Sequence, residues 1–318
     1  VKVNSNASRL GVKGEEKLTD NLSAVYLAEW EIWADGDGDA FKNRNRFVGI
    51  KSNGVATLKV GQHDSYFKTA AGNNQDIFND HNELDMTKVL VGEDRLTNVI
   101  GFETDKKLLG GLAFNIMFQQ GEESEGANSK AKGYEGSRDG FGDGVSASLT
   151  YENKDMGLAA AVAANRAIAS KFNAYDLSGI YTDAVRVTGS LDLGAMGASG
   201  LVLGALWQTA QPTDDTVTVT KGTPAVVTSY KGLQEDAFGV TAAYKIGATP
   251  VKLKAQYISA TTEVDGMKDR QQDLYGVGAD YQINKQAKFF GIVAQQKRDW
   301  LTKDDKKTNI GLGMEYNF

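Results

Sequence analysis

The last ten residues read Asn309-Ile310-Gly311-Leu312-Gly313-Met314-Glu315-Tyr316-Asn317-Phe318. Ile310, Leu312, Met314, Tyr316 and Phe318 share one parity. Gly311, Gly313, Glu315 and Asn317 share the other. Strict alternation over this length makes a strand with one apolar and one polar face. The same period returns in Phe238–Lys245, Tyr275–Gln282 and Val251–Tyr257. No segment longer than about ten residues keeps helical spacing. Ala159–Ala169 is the one stretch that helix propensity favours; we read it as a strand running into a loop.

Extending the alternation outward gives fifteen strands: Ser8–Lys17, Leu22–Trp33, Asn43–Ser52, Ala56–Gln62, Asp94–Thr104, Leu112–Gln120, Val145–Asn153, Gly157–Asn165, Leu177–Leu193, Gly200–Ala210, Gln234–Ile246, Val251–Thr262, Gln272–Gln282, Lys288–Arg298 and Lys307–Phe318. Their connectors alternate in length. Tight turns such as Thr19-Asp20-Asn21, Asn53-Gly54 and Asn284–Ala287 face long ones such as Ala34–Lys42, His63–Glu93, Gly121–Gly144 and Pro212–Leu233. All three prolines (Pro212, Pro224 and Pro250) fall in connectors, where they break no ladder. An all-β, antiparallel, up-and-down meander with long loops at one end is the layout of a transmembrane β-barrel. A single domain over residues 1–318 is expected.

Composition agrees. Lys and Arg total 35 against 41 Asp and Glu, a net charge of −6, which excludes a typical nucleic-acid binder. Cysteine is absent and there are only two histidines, so disulfides, thiol catalysis and His-rich metal sites are excluded. Mean hydropathy is −0.37, and the longest nearly apolar run, near Gly157–Ala164, is far short of a membrane helix. That excludes a helical membrane protein and leaves a barrel open. Val1 is not Met and no signal-like segment follows, so we expect a mature or truncated chain from an exported protein.

Several motifs resemble the general diffusion porins of Gram-negative outer membranes. Ser8–Glu16 is similar to that family's second strand and Asn43–Ile50 to its fourth. Gly61-Gln62 stands where the family has Gly-Arg before a long third loop. Asp94–Phe102 is similar to the strand leaving that loop, and Tyr316 with the terminal Phe318 to the family's assembly signal. The resemblance implies a homotrimer of sixteen-stranded barrels, in contact with outer-membrane lipid and lipopolysaccharide. It places the first strand upstream of Ser8. It implies passage of small hydrophilic solutes and ions, with no cofactor, no metal and no chemistry. Two rivals stay open: a substrate-specific channel with saturable transport, and an outer-membrane barrel enzyme.

The family folds its third loop, here residues 63–93, into the lumen as a constriction. Loop acids then face arginines on the wall. Arg9, Arg44 and Arg95 match the wall arginines, and alternation adds Lys13 beside Arg9 and Arg46 beside Arg44. Asp76, Asp80, Glu83 and Asp85 are the candidate loop acids, and Gln62 is a neutral wall position where the family carries arginine. The residues support this independently. A mid-strand arginine facing lipid costs about 2–4 kcal/mol. A 31-residue connector bearing Phe67, Ile77, Phe78, Leu84, Met86, Val89 and Leu90 needs a surface to pack on.

Other clusters read as structure. Asp35-Gly36-Asp37-Gly38-Asp39 starts like a calcium loop, but Ala40 and Arg46 stand where the pattern needs Gly and Glu. A solvated loop, adventitious divalent binding or, by resemblance, a latch onto a neighbouring subunit remain its readings. His63-Asp64 and Asp80-His81 are sequence neighbours, which rarely form a catalytic pair. No catalytic residue is expected. Trp30, Trp33, Trp207 and Trp300 fit interfacial girdles.

Overall fold

A computed structural model describes all residues except 1, 37, 39, 40, 82, 123–131, 135–136, 215, 222–225 and 304. The first strands are β1 Arg9–Lys17, β2 Leu22–Glu31, β3 Lys42–Ser52, β4 Ala56–Asp64, β5 Arg95–Thr104, β6 Leu112–Gln120, β7 Phe141–Asn153 and β8 Leu158–Phe172. Then come β9 Leu177–Asp192, β10 Leu201–Pro212, β11 Thr216–Lys221, β12 Val226–Lys231, β13 Gln234–Lys245, β14 Val251–Glu263, β15 Arg270–Gln282, β16 Ala287–Arg298 and β17 Lys306–Tyr316. Fifteen of them form one antiparallel sheet in sequence order, interrupted only by the separate hairpin β11–β12. The fold is the all-β, up-and-down barrel architecture. No helix among the described residues is long and apolar enough to cross a membrane.

Alternation decides which way each side chain points. On β17, Ile310 and Leu312 are 78% and 89% exposed. Val48, Ile50, Leu58 and Val60 continue that exposed apolar face on β3 and β4. In water such a surface is a liability; against lipid it is the stable arrangement. The opposite parity is buried where something covers it. Ile258, Leu274, Ile292 and Ala294 on β14, β15 and β16 are almost fully buried, on the inner face.

The cover is the long connector, residues 65–94. Ser65 caps a short helix, α1 (Tyr66–Thr69), by accepting from the Lys68 N–H. A second, α2 (Gly72–Gln75), follows, then a 3-10 turn at Met86–Lys88. Phe78, Leu84, Met86, Val89 and Leu90 form one apolar cluster with Leu206, Ala237, Ile258, Leu274 and Ile292 of the wall. Burial of these side chains contributes roughly 1.5–3 kcal/mol each. Gly276 and Gly278 make the approach possible: a Cβ on either would collide with Leu84 or Phe78.

Three expectations are corrected. The segment read as a strand running into a loop stays in the sheet as β8 to Phe172, with register shifts after Asn165 and Ser170, and only a 3-10 turn, Asn173–Tyr175, separates it from β9. β-bulges absorb the irregularity that the alternation misses. The Pro212–Leu233 loop carries the hairpin β11–β12. Trp300 is no girdle residue: it packs inside against the apolar cluster of β8–β10 and their turns.

Candidate pore constriction

The loop is fastened by polar anchors as well as apolar packing. Thr188 donates to the Ala70 carbonyl at 2.8 Å, Gln208 to that of Val91 at 3.0 Å, Gln256 to that of Leu84 at 2.8 Å and Gln272 to that of Lys88 at 2.7 Å. Each wall strand therefore satisfies a backbone group that a lumen loop would otherwise leave to water. The firmest anchor is an ion pair. Arg186 on β9, wholly buried, meets Glu93 at 2.5 Å, donates to Gln208 Oε1 at 2.5 Å and lies over the Phe67 ring at 4.3 Å.

Of the four candidate loop acids, one meets a wall arginine. Asp80 pairs with Arg9. Glu83 instead reaches β17, pairing with Lys307 at 3.3 Å and accepting from Asn309 at 2.9 Å. Asp85 caps the 3-10 turn by accepting from the Thr87 N–H. Asp76 Oδ1 is buried with no hydrogen-bond partner among the described residues. Burial, reinforced by the Asp85 and Glu93 carboxylates, pushes Asp76 up to about 8. Its proton stabilises the folded state fully below its usual range near 3.8, and that stabilisation is lost as pH rises through about 8. In thermal melts Asp76 alone should therefore contribute a fall of about 1.4 kcal/mol per pH unit between about pH 5 and pH 8. Asp76→Asn should flatten that slope; an unchanged slope would mean that Asp76 is charged in the fold.

The wall arginines find their partners mostly on the wall itself. Arg44 donates to Glu29 at 2.7 Å and lies 3.5 Å from Glu31. Arg95 pairs with Asp64 at 3.0 Å and donates to Asn45 at 2.8 Å. Lys68 of α1 adds a second cation to Asp64 at 3.4 Å. Lys13 is exposed and makes no ion pair among the described residues; alternation sets it on Arg9's face, opposite that of Val12. Arg9 and Arg95 open their strands rather than sitting in the middle. They stand at the long-connector end, where the cost of a charge near lipid falls to about 0–1 kcal/mol. Their partners, not that cost, turn them inward. Glu29, Glu31 and Asp64 escaped the sequence reading, although Glu29 and Glu31 share a parity opposite Trp30.

Arg46 and Gln62 lie elsewhere. Opposite Glu29, β3 uses two residues, Arg44 and Asn45, where β2 uses one. That bulge slips the alternation, so Arg46 does not share Arg44's face. Arg46 pairs with Gln62 in register with Val48 and Val60, on the outer face, and donates to Gln62 Oε1 at 2.6 Å. Gln62 is therefore no wall position of the lumen. His63 packs on Phe47 and Tyr66, and His81 between Phe78 and Phe290. Burial lowers His81 to about 4, so it is neutral near pH 7, as a packing residue should be. No group of three potential ligands among the described residues could hold a metal. Of the second-loop acids, Asp35 accepts from the Ser5 N–H at 2.6 Å; Asp37 and Asp39 lie outside the described residues.

Beneath the loop, toward the tight turns, remains a cavity of about 630 Å³ lined by Asn45, Lys59, Asp64, Asn74, Glu103 and Ser190, among others. Lys59 and Glu103, on the neighbouring strands β4 and β5, pair along its wall at 2.5 Å.

Comparison with known proteins agrees with this geometry. Residues 1–301 match the family described as Gram-negative porin. The major outer membrane protein P.IB of Neisseria meningitidis is 29% identical over 125 residues, 39% of this chain and 36% of that protein. The match thus spans about a third of that relative's length. The anion-selective porin of Comamonas acidovorans superposes with a TM-score of 0.66 at 18% identity, over 99% of this chain and 91% of that one. OmpF of Salmonella typhi does so with a TM-score of 0.67 at 16% identity, over 98% and 89%. These likenesses place the protein in the outer membrane, and the chain belongs to the Gram-negative porin family, a family of channels rather than catalysts.

Proposed function

We propose that the chain forms a passive diffusion channel for small hydrophilic solutes and ions, narrowed by residues 65–94. The observation that carries this is the loop itself. It is fastened to the inner wall by apolar burial and side-chain hydrogen bonds, above a polar-lined cavity that stays open. Passage would be sorted by width and by charge at the narrowing. Arg9, Arg44, Arg95 and Lys68 face Glu29, Glu31, Asp64 and Asp80, so cations and anions are matched there. With these charges matched, selectivity should be weak at low salt and fade further at high salt as screening grows.

Reversal potentials in planar bilayers test this. Asp80→Asn frees Arg9 and should shift the potential towards anions in a low-salt gradient. Gln62→Arg should leave it where it was, because position 62 lies on the outer face, and should lower the melting temperature by crowding Arg46. A shift with Gln62→Arg would return that position to the lumen.

We also infer, by family likeness, a homotrimer in contact with outer-membrane lipid and lipopolysaccharide. Native gels of detergent-extracted protein should show a trimer-sized band, and a monomer alone would refute it.

A further inference from the structure

At the long-connector end, above the loop, lies a second cavity of about 440 Å³. Lys88 of the loop, Arg270 at the start of β15 and Arg298 at the end of β16 converge on it. None of the three makes an ion pair among the described residues. The one carboxylate lining it, Asp176, is already held by Lys171 at 2.7 Å. Both arginines are ordered in advance. Arg270 donates to the Ala174 carbonyl at 2.8 Å and lies over the Tyr175 ring at 3.9 Å and the Trp300 ring at 5.6 Å. Arg298 donates to Gln296 at 3.0 Å. Stacking and a single carbonyl leave most of each guanidinium's donors unused.

Converging cations without matching carboxylates raise the local potential and concentrate anions. Preorganised guanidinium forks fit planar or tetrahedral oxyanions. The constriction below is charge-matched, whereas this cluster carries excess positive charge.

We propose that Lys88, Arg270 and Arg298 form a docking subsite for small polyvalent oxyanions, carboxylates or phosphate, in the vestibule above the constriction. The proposal rests on the channel reading and deepens it. Anions would pause there before passing the charge-matched narrowing.

The test adds citrate or inorganic phosphate to the long-loop side of single channels conducting in KCl. Wild type should show a concentration-dependent, side-dependent block by at least one of the two. A block by citrate alone assigns carboxylates, and a block by phosphate alone assigns phosphate; either supports the subsite. Arg298→Gln and Lys88→Gln should each raise the half-blocking concentration about tenfold, the loss expected for one charge-assisted contact, with KCl conductance little changed. Lys88 is exposed, so its variant keeps the test valid if an arginine variant misfolds. No block by either anion in a channel that conducts KCl would overturn the subsite and leave the channel reading standing, as would a block that Lys88→Gln and Arg298→Gln leave unchanged. Absence of KCl conductance would overturn the channel reading itself.

Discussion

Deleting residues 73–83 should raise single-channel conductance by roughly twofold or more, because conduction through a wide aqueous pore follows its narrowest open section. The deletion removes Phe78, which is fully buried against the wall, and Asp80, which ties the loop to Arg9. It also frees Arg9, so the reversal potential should move towards anions at low salt. The wall remains intact, since none of these residues belongs to a strand. Conductance equal to the parent's would place the loop tip outside the ion path.

The second large effect concerns the anchor at the loop's far end. Arg186→Ala should cost about 3–5 kcal/mol, because it strands a buried carboxylate. Glu93 is only 4% exposed in its side chain and has no other cation in contact among the described residues. The Phe67 carbonyl and Gln208 lose their donor as well. Thermal unfolding should start lower, and currents should flicker as the loop loosens. Pairing Arg186→Met with Glu93→Gln should recover much of the loss, since the stranded charge is then gone. Arg186→Ala melting within about 0.5 kcal/mol of the parent would show that the pair is dispensable.

The sheet was almost wholly legible in the sequence. Each of the fifteen strands read from alternation has its counterpart within a few residues, apart from the seventh and eighth. β7 starts earlier because Phe141 pairs with Gln120 of β6 across a register shift, and β8 ends later because it stays paired with β9 through two bulges, which alternation treats as breaks. The burial of the third loop was legible in Phe78, Leu84 and Met86. Its landing site was also written in the chain, as Gly276 and Gly278 on the inner parity of β15, but a glycine signals space without naming what fills it.

The proposed constriction was legible only in part. Arg9 meeting Asp80 depends on loop length and parity, which sequence carries. Arg46 was misplaced because one bulge opposite Glu29 reverses its face relative to Arg44. Gln62 was given its wall role by the family likeness, although it shares the parity of Leu58 and Val60. Arg186 with Glu93 was missed because partners 93 positions apart carry no local signal.

The most direct test of the central claim is single-channel conductance of the reconstituted protein against KCl concentration. A water-filled diffusion pore predicts current linear in voltage and conductance rising in proportion to bulk salt conductivity, without saturation. A conductance that saturates with salt, or no conductance from correctly folded protein, would contradict it.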